Sequence, residues 1–104
     1  MILDEFDLSA MLHTPRSRRQ VARLFTPPTW SVRKCSWTDY EVTSLFAELV
    51  IEAESPILLN GSVADAEASF DHILALLRSG GIAYTAECYG AGKELLREFR
   101  WEPS

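Results

Sequence analysis

The sequence predicts a small α/β or α+β fold, a two-layer sandwich in which helices pack on a mixed sheet of about four strands. Three observations support this fold class: two segments place apolar residues at helical spacing, four short segments look extended, and each of the two helical segments follows an extended one. Right-handed crossovers would set the first three strands parallel and the last strand antiparallel to its neighbour. The expected order is therefore α-β-α-β-α-β-β.

Residues 1–29 are predicted to form a helical arm on an α/β core made by residues 30–104, all within a single domain. The acidic opening segment suits a helix around residues 8–12. A second helix is expected from Pro15 to Phe25, because Pro favours a first helical turn and the prolines that follow Phe25 would end it. The opening segment has more apolar side chains than a free tail tolerates, so we expect it to pack on the domain or on a second copy.

The next segments are predicted to be a strand and a helix. Residues 30–37 look like a polar edge strand, and residues 39–53 carry a continuous apolar stripe at helical spacing. Thr38 and Glu41 have the spacing of a capping box at the start of this helix. A strand remains a weaker alternative, because apolar residues also alternate here. The stripe consists of Val42, Leu45, Phe46, Leu49, Val50 and Ala53.

The second half of the chain is predicted to be strand, helix, strand and a final ambiguous segment. Residues 56–60 form an apolar run bounded by Pro and Gly, as a buried strand would. A helix is expected over 63–79, where Gly80-Gly81 supplies its stop. Residues 82–89 alternate like a strand, and GAG at 90–92 is typical of a hairpin turn. Residues 93–101 fit either a strand or a helix.

Charge is distributed unevenly along the chain. Of its 104 residues, 47% are hydrophobic and 24% are charged, which suits one globular domain and excludes a disordered or fibrous class. The net charge is −5. Residues 1–36 hold three acids and six bases, whereas residues 37–92 hold nine acids and one base. A basic front third therefore precedes an acidic middle segment.

No complete catalytic, metal or cofactor motif is present in the sequence. GAGK at residues 90–93 is not a phosphate-binding loop, because Glu87 and Glu94 stand where that loop requires Gly and Ser or Thr. The cysteines Cys35 and Cys88 and the two histidines lack the spacing of a zinc site. We therefore expect no catalytic residue, no metal and no cofactor, and we do not predict an enzyme.

Cysteine usage and the opening residues favour a cytoplasmic location. Cys35 and Cys88 lie far apart in the sequence, so reduced thiols are expected. The opening stretch MILDEFDLSAML has acids where a secretory signal needs bases, and no apolar run reaches the length of a membrane span. We expect a cytoplasmic protein that has no membrane partner.

The charge pattern favours a protein-interaction module, an inhibitor or regulator of a basic partner, because opposite charges accelerate encounter and reject wrong partners. The partner would be another protein or a second copy of the chain, as in a homodimer. The candidate interaction residues are Arg16, Arg19, Arg23, Glu52, Glu54, Asp65, Glu67 and Asp71.

The alternative function is a small-ligand binding domain, or a minor enzyme, with a pocket between helices and sheet. A closed aromatic pocket containing a cysteine, histidine or carboxylate would favour this alternative. A flat acidic patch without a cavity would favour the interaction module. The candidate pocket residues are Trp30, Trp37, Tyr40, Tyr84 and Trp101.

The arginines of the predicted helix over 15–25 are expected to point away from its apolar side. Arg16, Arg19 and Arg23 fall at i, i+3 and i+7 and would form one basic stripe. Nucleic acid is not the expected partner, because a few arginines beside an acidic segment make a small footprint in a repulsive field. The hypothesis is that the stripe meets the acidic segment of the same chain or of a second copy.

Overall fold

The computed structural model describes residues 5–53, 55–64, 66–90 and 92–103. These residues form one sheet of seven strands and two helices. The strands are β1 (Glu5–His13), β2 (Ser31–Lys34), β3 (Tyr40–Thr43), β4 (Ala47–Glu52), β5 (Ile57–Ala64), β6 (Ala83–Tyr89) and β7 (Leu95–Trp101). The helices are α1 (Arg18–Ala22) and α2 (Ala66–Ser79).

The sheet contradicts the predicted fold class. Its order is β2-β3-β4-β5-β1-β6-β7, and every neighbouring pair is antiparallel. The four-stranded mixed sheet and the order α-β-α-β-α-β-β are therefore wrong. Two errors account for most of the difference, one in the opening segment and one in residues 39–53.

The opening segment forms an interior strand of the sheet, so the helix predicted around residues 8–12 is wrong. β1 pairs with β5 on one side and with β6 on the other. Its side chains alternate, with Leu8, Ala10 and Leu12 buried and the intervening residues on the other face. The expectation that this segment packs on the domain is confirmed, because two of its leucines lie in the core.

Residues 39–53 form the hairpin of β3 and β4 rather than a helix. Val42, Leu49 and Ile51 are buried, but Leu45 lies in the connecting turn and is fully exposed. The three-residue turn between the two strands shifts the buried positions from even numbers in β3 to odd numbers in β4. The combined spacing then imitates the i, i+3, i+4, i+7 pattern of a helix, which is why the apolar stripe misled the prediction.

The helix predicted over 15–25 is present but shorter. Ser17 caps α1: its hydroxyl accepts from the Gln20 amide at 3.2 Å, and the Gln20 side chain accepts from the Ser17 amide at 2.8 Å. The buried side chains of Val21 and Phe25 anchor this segment to the core.

The helix predicted over 63–79 is observed as α2, which begins three residues later because β5 continues to Ala64. Gly81 ends α2 with φ of 68°, and the Ile82 amide donates to the Leu77 carbonyl at 3.0 Å. The segment over 93–101, which fitted either a strand or a helix, contains strand β7. The predicted polar edge strand is confirmed as β2, in which all four residues are exposed.

Both helices pack on the same face of the sheet. α1 contacts β3 and β4, whereas α2 contacts β5 and β6. The buried apolar side chains of β1, β3, β4, β5 and β6 point toward these helices, and the core lies between the two layers. On the opposite face of the sheet, every side chain that the structure describes is half-buried or exposed, which is the usual arrangement for an antiparallel sheet with one solvated side.

Candidate functional site

The uncovered face of the sheet, called the open face below, is built by strand register. One row of directly opposed residues crosses all seven strands on this face. Its members come from distant parts of the sequence, and only the pairing of β1 with β5 and β6 brings them into one line. The row consists of Arg33, Glu41, Val50, Asn60, Ser9, Glu87 and Glu98.

The open face is predominantly acidic. Among the residues whose side chains the structure describes, six acids and two arginines of the strands lie on it. The acids are Asp7, Glu41, Glu48, Glu52, Glu87 and Glu98, and the arginines are Arg33 and Arg100. A ligand approaching this side of the sheet would therefore meet mainly carboxylates.

Two ion pairs neutralise part of this charge. Arg33 Nη2 lies 3.1 Å from Glu41 Oε1, and Lys93 Nζ lies 3.6 Å from Asp7 Oδ2. The cations of both pairs are largely exposed, so each pair contributes little to stability. Glu48 and Glu98 are exposed and form no ion pair within the described ranges. Their charges remain available to a partner.

Two carboxylates of the open face accept hydrogen bonds from neutral side chains. The Tyr89 hydroxyl donates to Glu87 Oε2 at 2.7 Å, and this hydrogen bond raises the pKa of Tyr89. Asn60 Nδ2 donates to Glu52 Oε2 at 2.6 Å. The carbonyl oxygen Oδ1 of Asn60 is buried and accepts no hydrogen bond from the described residues. The middle of the face therefore holds an acceptor with unused capacity.

The predicted arginine stripe lies on the other layer of the molecule. Arg16, Arg19 and Arg23 are all exposed beside α1, and none of them forms an ion pair with a residue that the structure describes. The neighbouring Arg18 donates from Nε to the Thr38 carbonyl oxygen. The sheet separates the stripe from the acids of the open face, so the hypothesised contact within one chain is not found among the described residues.

The predicted acidic residues are divided between the two layers. Glu52 lies on the open face, whereas Asp71 is exposed on α2. Glu54, Asp65 and the side chain of Glu67 lie outside the described part of the chain. Sequence reasoning missed the other acids of the open face because it grouped acids by segment. The signal that could have found them is the alternation of acidic and apolar residues within each strand.

The predicted pocket aromatics lie in separate places. Trp30 is buried, its ring contacts those of Phe25 and Phe46 edge to face, and its indole Nε1 donates to His72 Nε2 at 3.4 Å. Trp37 is 93% exposed in the turn between β2 and β3, and Tyr40 begins β3. Tyr84 is buried and stacks on Trp101 with ring centroids 6.1 Å apart.

A different cavity lies between α2 and the sheet, beside β7. Its volume is about 400 Å³. Three phenylalanines, a cysteine and two charged residues line it, and none of them was predicted as a pocket residue. They are Phe6, Phe70, Phe99, Cys88, Asp71 and Arg97, together with Leu96.

The two thiols differ in environment. Both cysteines are free, with Cys35 exposed and Cys88 buried. Burial raises the pKa of the Cys88 thiol from 9.0 to about 11, and the nearby Arg97 charge opposes this shift. Since the thiolate is the reactive form, Cys88 is protected both by burial and by protonation.

We expect one thiol to react rapidly with Ellman's reagent at pH 8 in the folded protein and the second to react only in denaturant. The rapid thiol should disappear in Cys35→Ser and remain in Cys88→Ala. Two thiols reacting at equal rates in the folded wild type would contradict this assignment.

Neither a metal-binding cluster nor a membrane-spanning helix is found in the described ranges. Within residues 5–53, 55–64, 66–90 and 92–103, no group of three or more His, Cys, Asp or Glu side chains could hold a metal ion. In the same ranges, no helix is long and apolar enough to span a membrane.

Comparison of the chain with known proteins gives no match. No protein-family model, no curated protein and no solved structure matches the chain.

Proposed function

We propose that this chain is a small protein-interaction module whose open face binds a basic surface of another protein, as an inhibitor or regulator would. The observation that carries the proposal is the separation of charge between the two layers. The open face holds six described acids, whereas the arginines around α1 lie on the other side of the sheet. The proposal places the chain in the cytoplasm, where both thiols stay reduced.

A basic protein surface fits the open face for two reasons. Opposite charges accelerate encounter and reject partners of the wrong sign. The half-buried side chains of Val50 and Leu58 and the exposed side chain of Met11 lie among the acids and supply apolar area for a contact core.

A second copy of the chain fits the open face less well than a different protein. The basic surface of such a copy is its α1 layer, so the contact would join two different surfaces head to tail. Contacts of this type continue from copy to copy unless the rotation closes a ring. A different protein with a basic surface would bind the open face once and form a complex of finite size. Nucleic acid would be repelled by the same carboxylates.

A matched pair of variants tests this surface. Glu48→Gln with Glu98→Gln removes two exposed charges from the open face. Asp71→Asn with Glu94→Gln removes two exposed charges from α2 and from the turn before β7. A partner isolated from the cells that encode the chain is purified and titrated with each protein by calorimetry. The open-face pair should weaken binding at least tenfold, which is about 1.4 kcal/mol, while the control pair changes it less than twofold.

The salt dependence of binding is the second test of the open face. The difference between the two pairs should shrink as added salt screens the exposed charges. Equal weakening by both pairs would show that only net charge matters and would overturn the assignment of the open face. Recovery of an acidic partner would also contradict the proposal. A molecular mass from light scattering that keeps growing with protein concentration at low salt would contradict it too, because it would show that copies of the chain stack on one another.

A further inference from the structure

The two edge strands of the sheet differ in how well they are protected against pairing with another chain. β2 is short, and its exposed Arg33 and Lys34 place two positive charges at that edge, which discourages the addition of a strand. β7 is seven residues long and contains no proline, glycine or lysine. In the part of the chain that the structure describes, β7 pairs only with β6, so one edge of β7 is open to a further strand.

The helical side of β7 is also uncovered, because the sheet is wider than the helical layer. Seven strands spaced about 4.8 Å apart span about 29 Å. Two helices, each about 10 Å across, cover about 20 Å of that width. α1 lies on β3 and β4, and α2 lies on β5 and β6, so β7 extends beyond the helices. The cavity beside β7 lies in this gap.

A β-bulge near the start of β7 limits the regular part of the strand. Leu95 and Arg97 pair with consecutive residues of β6, so Leu96 between them has no partner residue in the ladder. The bulge directs Leu96 toward the cavity, where it is 46% exposed. Residues 97–101 pair with β6 without interruption. This stretch therefore offers a regular edge for a second strand.

The side chains of this stretch are complementary to a second copy of themselves. Glu98 and Arg100 are exposed on the open face, and neither forms an ion pair with a described residue. Phe99 is half-buried on the helical side. If two such strands pair antiparallel around a two-fold axis through Phe99, Glu98 of each copy lies opposite Arg100 of the other. Opposite charges and aromatic pairs at directly opposed positions stabilise a sheet.

The neighbouring registers are unfavourable. A two-fold axis perpendicular to the sheet keeps the same face of both copies on one side, so the axis must pass through a residue. An axis through Glu98 would place two carboxylates opposite each other, and an axis through Arg100 would place two guanidinium groups opposite each other. Like charges at directly opposed positions are destabilising. The charge order therefore favours the register centred on Phe99.

A second copy would also offset a repulsion within the chain. Glu98 lies directly opposite Glu87 in the ladder of β6 and β7. Neither carboxylate forms an ion pair within the described ranges, and like charges in this arrangement are unfavourable. In the register centred on Phe99, Arg100 of the second copy lies on the other side of Glu98 in the same row. The open edge of β7 is therefore complementary in charge to a second β7.

We propose that two copies of this chain form a symmetric dimer by antiparallel pairing of their β7 strands, with Phe99 on the two-fold axis. The contact joins identical surfaces, so it closes after two copies and the mass does not grow beyond two chains. The two sheets become continuous, and both open faces lie on the same side. The dimer does not rest on the proposed function, because the open face of a single chain is equally acidic.

Charge reversal tests this dimer by sedimentation equilibrium, with circular dichroism to verify that each variant is folded. The wild type should reach the mass of two chains. Glu98→Arg and Arg100→Glu each place like charges opposite each other and should weaken dimerisation at least tenfold. Combining both substitutions in one chain restores opposite charges and should restore the dimer. Lys34→Glu, on the other edge of the sheet, is the control and should change dimerisation less than twofold.

Mixing the two single variants tests the register itself. The Glu98→Arg chain carries two positive charges beside Phe99, and the Arg100→Glu chain carries two negative ones. Both opposed pairs then have opposite signs, so native mass spectrometry should show a dimer containing one chain of each variant. A wild type that stays monomeric up to its solubility limit would overturn the dimer. Failure of the mixture to form a mixed dimer, or equal weakening by Lys34→Glu, would overturn it too.

Partner binding by Arg100→Glu separates the dimer from the proposed function, because this variant removes no carboxylate from the open face. The partner purified with the wild type is titrated with Arg100→Glu by calorimetry. One partner should still bind per chain although the dimer is lost, which would support both inferences. A monomeric wild type that binds the partner would overturn the dimer alone. A dimeric wild type that binds no basic protein would overturn the proposed function alone.

Discussion

Deleting residues 1–12 should abolish cooperative folding, because it removes most of the interior strand β1. β1 is the strand that joins β5 to β6, and its loss leaves two sheet fragments with unpaired edges. The deletion also removes the buried leucines Leu8 and Leu12 from the core. Circular dichroism should show no native sheet signal, and urea titration should show no cooperative transition.

Two point variants in the same strand serve as an internal comparison. Leu8→Ala should lower the free energy of unfolding by about 2–5 kcal/mol, because Leu8 is 1% exposed and its truncation leaves a cavity. Met11→Ala should lower it by less than about 1 kcal/mol, since Met11 is 38% exposed on the open face. A cooperative transition in the deletion protein, or equal effects of the two point variants, would contradict the interior position of β1 between β5 and β6.

Gly61→Ala should destabilise the protein by about 3 kcal/mol, near the upper end of what overpacking usually costs. A Cβ at Gly61 would lie 2.0 Å from the Glu48 carbonyl oxygen and 2.7 Å from the Leu49 Cα, so the backbones of β4 and β5 would have to move apart. Gly61→Val should prevent folding altogether. Urea denaturation of the purified variants measures both effects.

Gly81→Ala is the matched control, because it adds the same methyl group where nothing lies within 4 Å. This substitution should lower the free energy of unfolding by about 1–2 kcal/mol, because a side chain at φ of 68° is strained. If Gly61→Ala proved no more damaging than Gly81→Ala, the close approach of β4 and β5 would be wrong.

Local patterns predicted some elements well. The apolar spacing and the glycine stop of α2 are contained within one segment, and so is the polarity of the edge strand β2. The position of β1 between β5 and β6 could not be predicted in this way. Its alternation is short, and the strands that satisfy its backbone groups lie about 50 to 80 residues further along the chain.

The candidate site was harder to predict because it depends on register. The acids of the open face come from β1, β3, β4, β6 and β7, and their sequence positions do not indicate which face of the sheet they share. Grouping acids by segment combined Glu52 and Asp71, which the sheet separates. The cavity depends on the sheet width and on the bulge at Leu96, and neither is visible in a single segment.

Site-specific photo-crosslinking in the cells that encode the chain tests the central claim, that the open face is the binding surface. Benzoylphenylalanine replaces Thr43 or Thr85 on the open face and, as controls, the exposed Gln20 or Ala75 on the helical layer. The claim predicts adducts with the same basic protein from both threonine positions and none from the two controls. Adducts from the helical layer alone, or the same adducts from all four positions, would contradict it.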